Sequence, residues 1–206
     1  MQPFPVVVLD YQAGNLRSVA KALEHVGAAP RVTGDPAALR RARAIVVPGQ
    51  GAADTAMRVL TAGGLVEPLK EAIARDVPFL GVCLGLQLLL EATEEGEAPC
   101  LGVIPGRVRR LPDGLKVPHM GWNQVELRGE HPVFAGVPSG SHFYFVHSYY
   151  CDPEAPDTVL GVTEYGVAFC SVAARGRLVA TQFHPEKSGP LGLRLYANFV
   201  RWASEG

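Results

Sequence analysis

The sequence predicts a three-layer α/β fold, with a parallel N-terminal part and an antiparallel extension in one central mixed sheet and helices on both faces. Up to Glu91, short apolar segments alternate with segments of helical periodicity. The apolar segments are rich in β-branched residues and contain few polar ones, which is typical of parallel strands buried on both faces. After Glu91, closely spaced β-type segments separated by turn residues predict hairpins that extend the sheet.

The parallel part is predicted from four strands and the helices that connect them. Asn15 is a residue type that favours a helix N-cap, and Gly27 is suited to end the same helix. We expect strands at residues 6–9, 31–33, 44–47 and 78–82. Helices are expected at residues 16–26, 36–41, 52–60 and 65–75, and another in the leucine-rich run after Cys83.

The second half is predicted to be mostly β-structure closed by a helix. Strands are expected at residues 107–111, 123–127, 142–150, 159–164, 167–173 and 177–183. Leu191, Leu195, Phe199 and Trp202 recur at helical spacing and indicate an amphipathic C-terminal helix. Because no repeat, low-complexity tract or linker divides the chain, we expect residues 1–206 to form a single domain.

Composition argues against several classes of function. Of the 206 residues, 48% are hydrophobic and 19% charged, and the formal net charge of -1 gives no electrostatic basis for binding nucleic acid or an anionic membrane. The N-terminal apolar run is too short for a signal peptide, so we expect a soluble, cytoplasmic protein. The four cysteines form no C-x-x-C pair, which argues against a metal site or a disulfide framework.

One cysteine has the sequence context of a catalytic nucleophile. Gly81 and Gly85 stand two residues before and after Cys83, which follows an apolar strand. This is the pattern of a nucleophile elbow with sulfur in place of the hydroxyl, because a sharp strand-to-helix turn leaves no room for side chains at the flanking positions. The alternative is a buried structural cysteine in a glycine-containing strand.

A cysteine nucleophile needs a base and a group that orients the base. His184 follows a predicted strand, and Glu186 lies two residues further on, where an extended chain projects both side chains to the same side. His147 is the competing base, but it has no acidic neighbour in sequence, which favours a structural or substrate-lining role. The sequence therefore predicts a Cys83–His184–Glu186 triad.

An oxyanion hole would complete the site. One donor is expected from the backbone N–H of Leu84, directly after the nucleophile. The other is expected from the Gly-rich loop at residues 48–51, through the N–H of Gly51. Since a peptide between Gly49 and Gly51 can turn at low steric cost, we expect the loop to switch that donor towards or away from the substrate when a partner binds.

Together these motifs resemble the triad-type, class I glutamine amidotransferases. The resemblance rests on GVCLGLQ at residues 81–87, PGQG at 48–51 and HPE at 184–186. A finer resemblance, to the glutaminase subunits of imidazole glycerol phosphate synthases, rests on DY at 10–11, GNLRSV at 14–19, PHMGWN at 118–123, FVHSY at 145–149 and QFHPEKS at 182–188. It runs from the first predicted strand to the last helix and implies a class I glutamine amidotransferase-like fold.

The resemblance implies a glutaminase that forms a heterodimer with a β/α-barrel cyclase of histidine biosynthesis. Glutamine would be hydrolysed to glutamate and ammonia, and the cyclase would use the ammonia to make imidazole glycerol phosphate and an aminoimidazole carboxamide ribotide. The motif match implies Cys83 as nucleophile, His184 as acid and base and Glu186 as its orienting group, with no metal or organic cofactor. It also implies substrate contacts from Gly49, Gln50, Gln87, Ser148 and Tyr149.

A cluster of bulky side chains predicts where the partner docks. His119, Met120 and Trp122 crowd around Gly121, and Lys187 directly follows the triad. We expect these residues, with Tyr144, to form part of the cyclase-binding face; the alternative is a core tryptophan that caps the sheet.

Two other functions stay open from sequence alone. A glutaminase of another biosynthetic synthase would need different sequence around Pro118 and Phe145, and a non-catalytic regulatory binding protein would have a broken triad.

Overall fold

The computed structural model describes residues 3–205 and places a twelve-stranded mixed sheet at the centre of the molecule. The strands are β1 (Phe4–Leu9), β2 (Ala28–Thr33), β3 (Ile45–Gly49), β4 (Phe79–Cys83), β5 (Ala92–Thr93), β6 (Gly106–Arg110), β7 (His119–Leu127), β8 (Ser141–His147), β9 (Tyr149–Pro153), β10 (Val159–Glu164), β11 (Ala168–Arg175) and β12 (Leu178–Thr181). The helices are α1 (Leu16–His25), α2 (Pro36–Arg40), α3 (Ala53–Ala62), α4 (Val66–Ala74), α5 (Leu84–Gln87) and α6 (Gly189–Ser204).

The sheet joins a parallel half to an antiparallel half, as the sequence predicts. Its main path runs β2-β1-β3-β4-β12-β11-β10-β7-β8. Strands β2, β1, β3, β4 and β12 are mutually parallel, and β11, β10, β7 and β8 continue the path with antiparallel pairs. Strands β5, β6 and β9 form a side branch that pairs with β11 through Cys151 and Cys170.

Helices cover both faces of the parallel half because each strand buries alternate side chains on opposite sides. Val7 and Leu9 of β1 belong to the core under α2, α3, α4 and α5, whereas Val6 and Val8 belong to the core under α1 and α6. The triad strands β4 and β12 run between these two cores. This burial fixes the carboxyl ends of β3, β4 and β12, where the candidate site lies.

Two local predictions differ from the structure. Asn15 does precede α1, but its backbone is left-handed, with a φ of 73°, and its side chain caps nothing in the helix. The helix after Cys83 is a single turn rather than a leucine-rich helix. It ends because residues 100–104 fold back on it: the N–H groups of Leu101 and Val103 donate to the carbonyls of Leu88 and Leu89.

The β-strands of the second half also differ in extent. Strand β7 begins at His119, four residues earlier than expected, and the strand expected at residues 142–150 is interrupted at Ser148. Within residues 3–205, no helix combines the length and the apolar character needed to cross a membrane.

Candidate active site

The predicted catalytic residues come together because three adjacent parallel strands end at the same edge. In the β3–β4 register, Gly49 is paired with Cys83, so the Gly-rich loop follows beside the elbow. In the β4–β12 register, Thr181 is paired with Val82, so the chain reaches His184 next to Cys83. The carboxyl edge of a parallel sheet is the usual position of ligand sites in open α/β folds.

Cys83 has the strained backbone of a nucleophile elbow. Its φ of 55° and ψ of -104° lie outside the regions that a non-glycine residue readily adopts. A Cβ atom at Gly85 would lie 2.0 Å from the carbonyl oxygen of Val47, and one at Gly81 would lie 2.8 Å from the carbonyl oxygen of Gly85. The two flanking glycines are therefore required by close backbone contact, which is the reason predicted from the motif.

His184 and Glu186 form the buried part of the site. The Nδ1 atom of His184 lies 2.8 Å from Oε1 of Glu186, and both side chains are 1% exposed. The buried Nε2 atom makes no hydrogen bond of ordinary geometry within residues 3–205, which leaves it free to exchange a proton with Cys83. Burial opposes a charged imidazole, but the adjacent Cys83 and Glu186 outweigh it and raise the pKa of His184 to about 10.

Two further residues contact the carboxylate of Glu186. The side-chain amide of Asn15 donates to Oε1, and the hydroxyl of Tyr196 lies 3.4 Å from Oε2. Sequence reasoning assigned neither residue to the site. Asn15 lies within the GNLRSV motif at residues 14–19, which could have indicated a role in the site. Tyr196 lies in the amphipathic pattern of α6, and nothing in its sequence context indicates a role in the site.

A chain of amides connects the sulfur of Cys83 to the loop at Ser148. The Nε2 atom of Gln182 donates to Sγ of Cys83 at 3.6 Å, and its Oε1 atom accepts from Nε2 of Gln87 at 3.3 Å. The same Gln87 atom donates to the carbonyl of Tyr149 at 2.9 Å. Gln87 thus fixes the Ser148–Tyr149 backbone as well as facing the cavity. Gln182 is a further residue that sequence reasoning left without a role.

A cavity of about 480 Å³ opens above Cys83. Its lining residues are Gln50, Gly51, Ala52, Cys83, Leu84, Gln87, Glu95, Pro118, Val146, His147, Ser148, Tyr149 and Lys187. Most of the predicted substrate and oxyanion residues are among them. Gly49 is buried and is not one of the lining residues. Glu95 is an unpredicted acidic group there, and its Oε2 atom accepts from the N–H of Ala53 at 2.7 Å.

His147 belongs to a hydrogen-bonded row that contains neither His184 nor Glu186. Its Nδ1 atom lies 2.8 Å from the carbonyl oxygen of Tyr149, which can only accept, so Nδ1 carries the proton. Nε2 therefore accepts from Nδ1 of His119 at 2.9 Å, and Nε2 of His119 accepts from the amide of Asn123 at 3.2 Å. Burial lowers the pKa of His147 to about 3 and that of His119 to about 4, which keeps both rings neutral.

Three of the predicted docking residues, His119, Met120 and Trp122, lie on β7 and divide between its two faces, whereas Tyr144 lies on β8 and Lys187 follows Glu186. Met120 and Trp122 are 61% and 56% exposed and lie on the same face. Trp122 contacts Tyr144 edge-on, and Nζ of Lys187 lies 5.7 Å from the centre of the Tyr144 ring. The prediction that His119 lies on the docking face is corrected by the structure. Strand alternation turns its side chain inward, where it is buried and stacked on Phe145 and Tyr165.

Among the residues that the structure describes, no group of three or more histidine, cysteine or acidic side chains is arranged to hold a metal ion.

Comparison with known proteins identifies the family. The model of the glutamine amidotransferase class-I family matches residues 7–202. The imidazole glycerol phosphate synthase subunits HisH of Dehalococcoides mccartyi strain CBDB1 and Syntrophotalea carbinolica are 49% and 50% identical to the chain; the alignments cover 96% and 94% of this chain and 97% and 98% of those proteins.

A crystal structure of a glutamine amidotransferase, 22% identical, superposes with a TM-score of 0.76 over 96% of this chain and 98% of that one, which confirms the predicted fold class. The chain therefore belongs to the class I glutamine amidotransferases and, within them, to the HisH subunits of imidazole glycerol phosphate synthase.

Proposed function

We propose that this chain is the glutaminase subunit of an imidazole glycerol phosphate synthase and hydrolyses glutamine through Cys83, His184 and Glu186. The observation that carries the proposal is the buried His184–Glu186 pair, 2.8 Å apart, beside a strained cysteine at the base of a cavity. We further propose that residues 1–206 act as one glutamine amidotransferase domain, of which residues 1, 2 and 206 lie outside the described part.

The first half of the reaction releases ammonia. The raised pKa of His184 favours transfer of the Cys83 proton to Nε2, and the resulting thiolate attacks the side-chain amide carbon of glutamine. The negative charge on the amide oxygen is stabilised by the N–H of Leu84, which is the first residue of α5 and has no intrahelical acceptor, and by the N–H of Gly51. The imidazolium of His184 then protonates the departing nitrogen, leaving a glutamyl thioester on Cys83.

The second half regenerates the enzyme. His184, now neutral, takes a proton from water as the water oxygen attacks the thioester carbon. The carbon–sulfur bond breaks, glutamate is released, and the proton returns to the sulfur. Glu186 keeps the imidazole oriented through Nδ1 and stabilises its charged form in both halves of the reaction.

The cavity offers matching groups for the amino-acid end of glutamine. Glu95 supplies a carboxylate for the α-ammonium group, and Lys187 supplies a positive charge near the opening. The backbone of Ser148 and Tyr149, held by Gln87, is expected to bind the α-carboxylate. Gln50 lines the same cavity, whereas Gly49, the residue before it, is buried and does not line the cavity.

The partner is proposed to be a cyclase subunit with a β/α-barrel fold, bound as a heterodimer in the cytoplasm. Met120 and Trp122 are exposed, the half-buried Tyr144 contacts Trp122, and Lys187 beside Tyr144 lines the cavity, so a subunit bound on this surface would lie close to the released ammonia. No step of this hydrolysis calls for a metal or an organic cofactor.

The other functions considered from sequence are less well supported. A non-catalytic regulatory protein gives no reason to retain a buried histidine–carboxylate pair next to a strained cysteine. A glutaminase of another synthase is disfavoured because relatives about half identical over nearly the whole chain are imidazole glycerol phosphate synthase subunits.

Replacing the nucleophile tests the proposal. We expect Cys83→Ala, assayed with the cyclase subunit, to release no glutamate from glutamine, yet to support formation of imidazole glycerol phosphate when ammonium salt is supplied. Cys100→Ala is the matched control because that thiol lies outside the cavity lining. Glutamate release by Cys83→Ala at the wild-type rate would refute the proposed nucleophile.

A further inference from the structure

The hydroxyl of Tyr11 is buried directly beneath the Gly-rich loop and lacks a hydrogen bond. Tyr11 follows β1, is 2% exposed, and its hydroxyl has no hydrogen-bond partner within residues 3–205. A Cβ atom at Gly49 would lie 1.9 Å from this hydroxyl oxygen, so the tyrosine occupies the space beside Gly49. A buried hydroxyl without an acceptor destabilises the conformation in which it occurs.

The loop after Gly49 is a thin wall between two cavities. The cavity above Cys83 is lined by Gln50, Gly51 and Ala52, and Tyr11 is not among its lining residues. A second cavity, of about 130 Å³, is lined by Tyr11 and by the same three loop residues. These three loop residues therefore border both the cavity that contains Cys83 and the cavity that contains Tyr11.

The backbone at Gly51, in the loop between the two cavities, has room to change its conformation. Gly51 has a φ of 107°, and no atom lies within 4 Å of the position that a Cβ atom would take there. In a trans peptide, the N–H and the carbonyl point in opposite directions. When the peptide between Gln50 and Gly51 turns its carbonyl towards Tyr11, it necessarily turns the N–H of Gly51 towards the cavity above Cys83.

We propose that Tyr11 is a positioning residue for the oxyanion hole: its hydroxyl donates to the carbonyl of Gln50 in the active conformation of the loop. The proposal rests on the proposed glutaminase function and deepens its control. In this proposal, the conformation in which the Tyr11 hydroxyl has no acceptor within residues 3–205 is the resting one. The bond would form only in the active conformation, which is the differential interaction that a conformational switch requires.

Tyr11 is suited to act as a donor at any working pH. Burial, together with the nearby Cys83, raises the pKa of its hydroxyl far above the ordinary value, so the proton is retained. Tyr11 would not contact glutamine, because the loop separates it from the substrate cavity. Its removal should therefore change the rate of the chemical step and not the binding of glutamine.

The variant Tyr11→Phe tests this role, since it removes the hydroxyl and keeps the ring. Glutamate release is measured for the chain alone, with the cyclase subunit, and with the cyclase subunit and imidazole glycerol phosphate. We expect the kcat of the fully stimulated mixture to fall roughly 3- to 10-fold, the effect of one neutral hydrogen bond. The KM for glutamine should be unchanged, and the melting temperature of the isolated chain should be unchanged or higher.

Tyr150→Phe is the matched control, because Tyr150 lies on β9 outside the cavity lining. In NMR spectra, the amide signal of Gly51 should shift when partner and imidazole glycerol phosphate bind wild-type protein, and should shift less in Tyr11→Phe. A stimulated kcat equal to wild type would overturn the role of Tyr11, as would equal losses in all three mixtures with a lower melting temperature. If wild-type protein released no glutamate in any mixture, the proposed function itself would fail, and the role of Tyr11 with it.

Discussion

At the scale of single residues, Asn15 links the first helix to the catalytic segment. Its left-handed backbone directs the side-chain amide away from α1 and onto Oε1 of Glu186, the same oxygen that accepts from His184. A carboxylate held by two side-chain donors is less free to rotate than one held by a single imidazole. We therefore expect Asn15 to act on the reaction through Glu186 and not through contact with glutamine.

Removing this amide should weaken catalysis without weakening substrate binding. A hydrogen bond to a charged group contributes about 1.5–3 kcal/mol, which corresponds to at least about a tenfold loss of kcat for Asn15→Ala. Steady-state kinetics with the cyclase subunit would measure kcat and KM separately. Ser18→Ala, at an exposed position of the same helix, is the control. A normal kcat for Asn15→Ala would contradict a positioning role.

The same residue shows what sequence could and could not predict. Asparagine before the apolar pattern correctly indicated where α1 begins, although its side chain forms no cap on the helix. Its side chain instead bonds to Glu186, which lies 171 positions away, and no local pattern carries information about such a contact. In contrast, the pairing of His184 with Glu186 is local, and their spacing predicted it once the Cys83 elbow and the parallel sheet had indicated a catalytic site.

At the scale of elements, strand alternation in β7 gives its two faces different tasks. Met120 and Trp122 point outward next to Tyr144, while His119 points inward towards His147. Sequence reasoning predicted one docking cluster because it treated residues 118–123 as a compact unit rather than as a strand. Had the predicted strand begun at His119 instead of residue 123, strand alternation would have placed His119 on the face opposite to Met120 and Trp122.

The outward face predicts a binding hot spot. Exposed tryptophans at the centre of protein interfaces commonly contribute at least about 2 kcal/mol, so Trp122→Ala should weaken binding of the cyclase subunit roughly 30-fold. Titration calorimetry would measure this, with Gln124→Ala, an exposed position further along the same face, as the control. Equal affinities for wild type and Trp122→Ala, with the fold intact, would exclude this face as the docking surface.

The inward face predicts a loss of stability in acid. The pKa values of His119 and His147 fall from 6.5 to about 4 and about 3, because burial disfavours the charged rings. Between pH 6.5 and those values the unfolded chain binds more protons than the folded chain, so the free energy of unfolding decreases as the pH falls. The stabilisation is complete above about pH 6.5 and is lost progressively towards pH 4 and below.

Thermal unfolding at a series of pH values would check this expectation. His119→Phe retains an aromatic ring between Phe145 and Tyr165 but cannot titrate, so its melting temperature should fall less between pH 7 and pH 4 than that of the wild type. His25→Phe, at the exposed end of α1, provides the control. The same acid dependence in His119→Phe and wild type would contradict the proposed origin of the effect.

At the scale of the whole molecule, the sheet order explains why the fold was easier to predict than the details of the site. Alternating buried strands and helices indicated the parallel half, and the short spacing of later strands indicated the antiparallel half. The insertion of β12 between β4 and β11 brings His184 beside Cys83 from the far end of the chain. This long-range register has no local signature, so the triad could be predicted only from the residue types that its chemistry requires.

The arrangement of the strands also connects the proposed partner-binding surface to the segment that carries His184. Two hydrogen bonds link β8 to the catalytic segment. The N–H of His184 donates to the carbonyl of Tyr144 at 2.9 Å, and the N–H of Tyr144 donates to the side-chain Oγ of Ser188 at 3.0 Å. A partner that contacts Tyr144 and Lys187 would therefore contact residues that are directly bonded or adjacent to the segment that carries His184. Docking and catalysis are expected to be coupled through this short connection.

Identification of the covalent intermediate tests the central claim most directly. The chain is mixed with its cyclase subunit, imidazole glycerol phosphate and glutamine, quenched in acid during turnover, digested and examined by mass spectrometry. We expect one glutamyl group on the peptide that contains Cys83, absent from the Cys83→Ala variant. A glutamyl group on Cys100, Cys151 or Cys170, or active turnover with no glutamyl group on any cysteine, would contradict the assignment of Cys83 as the nucleophile.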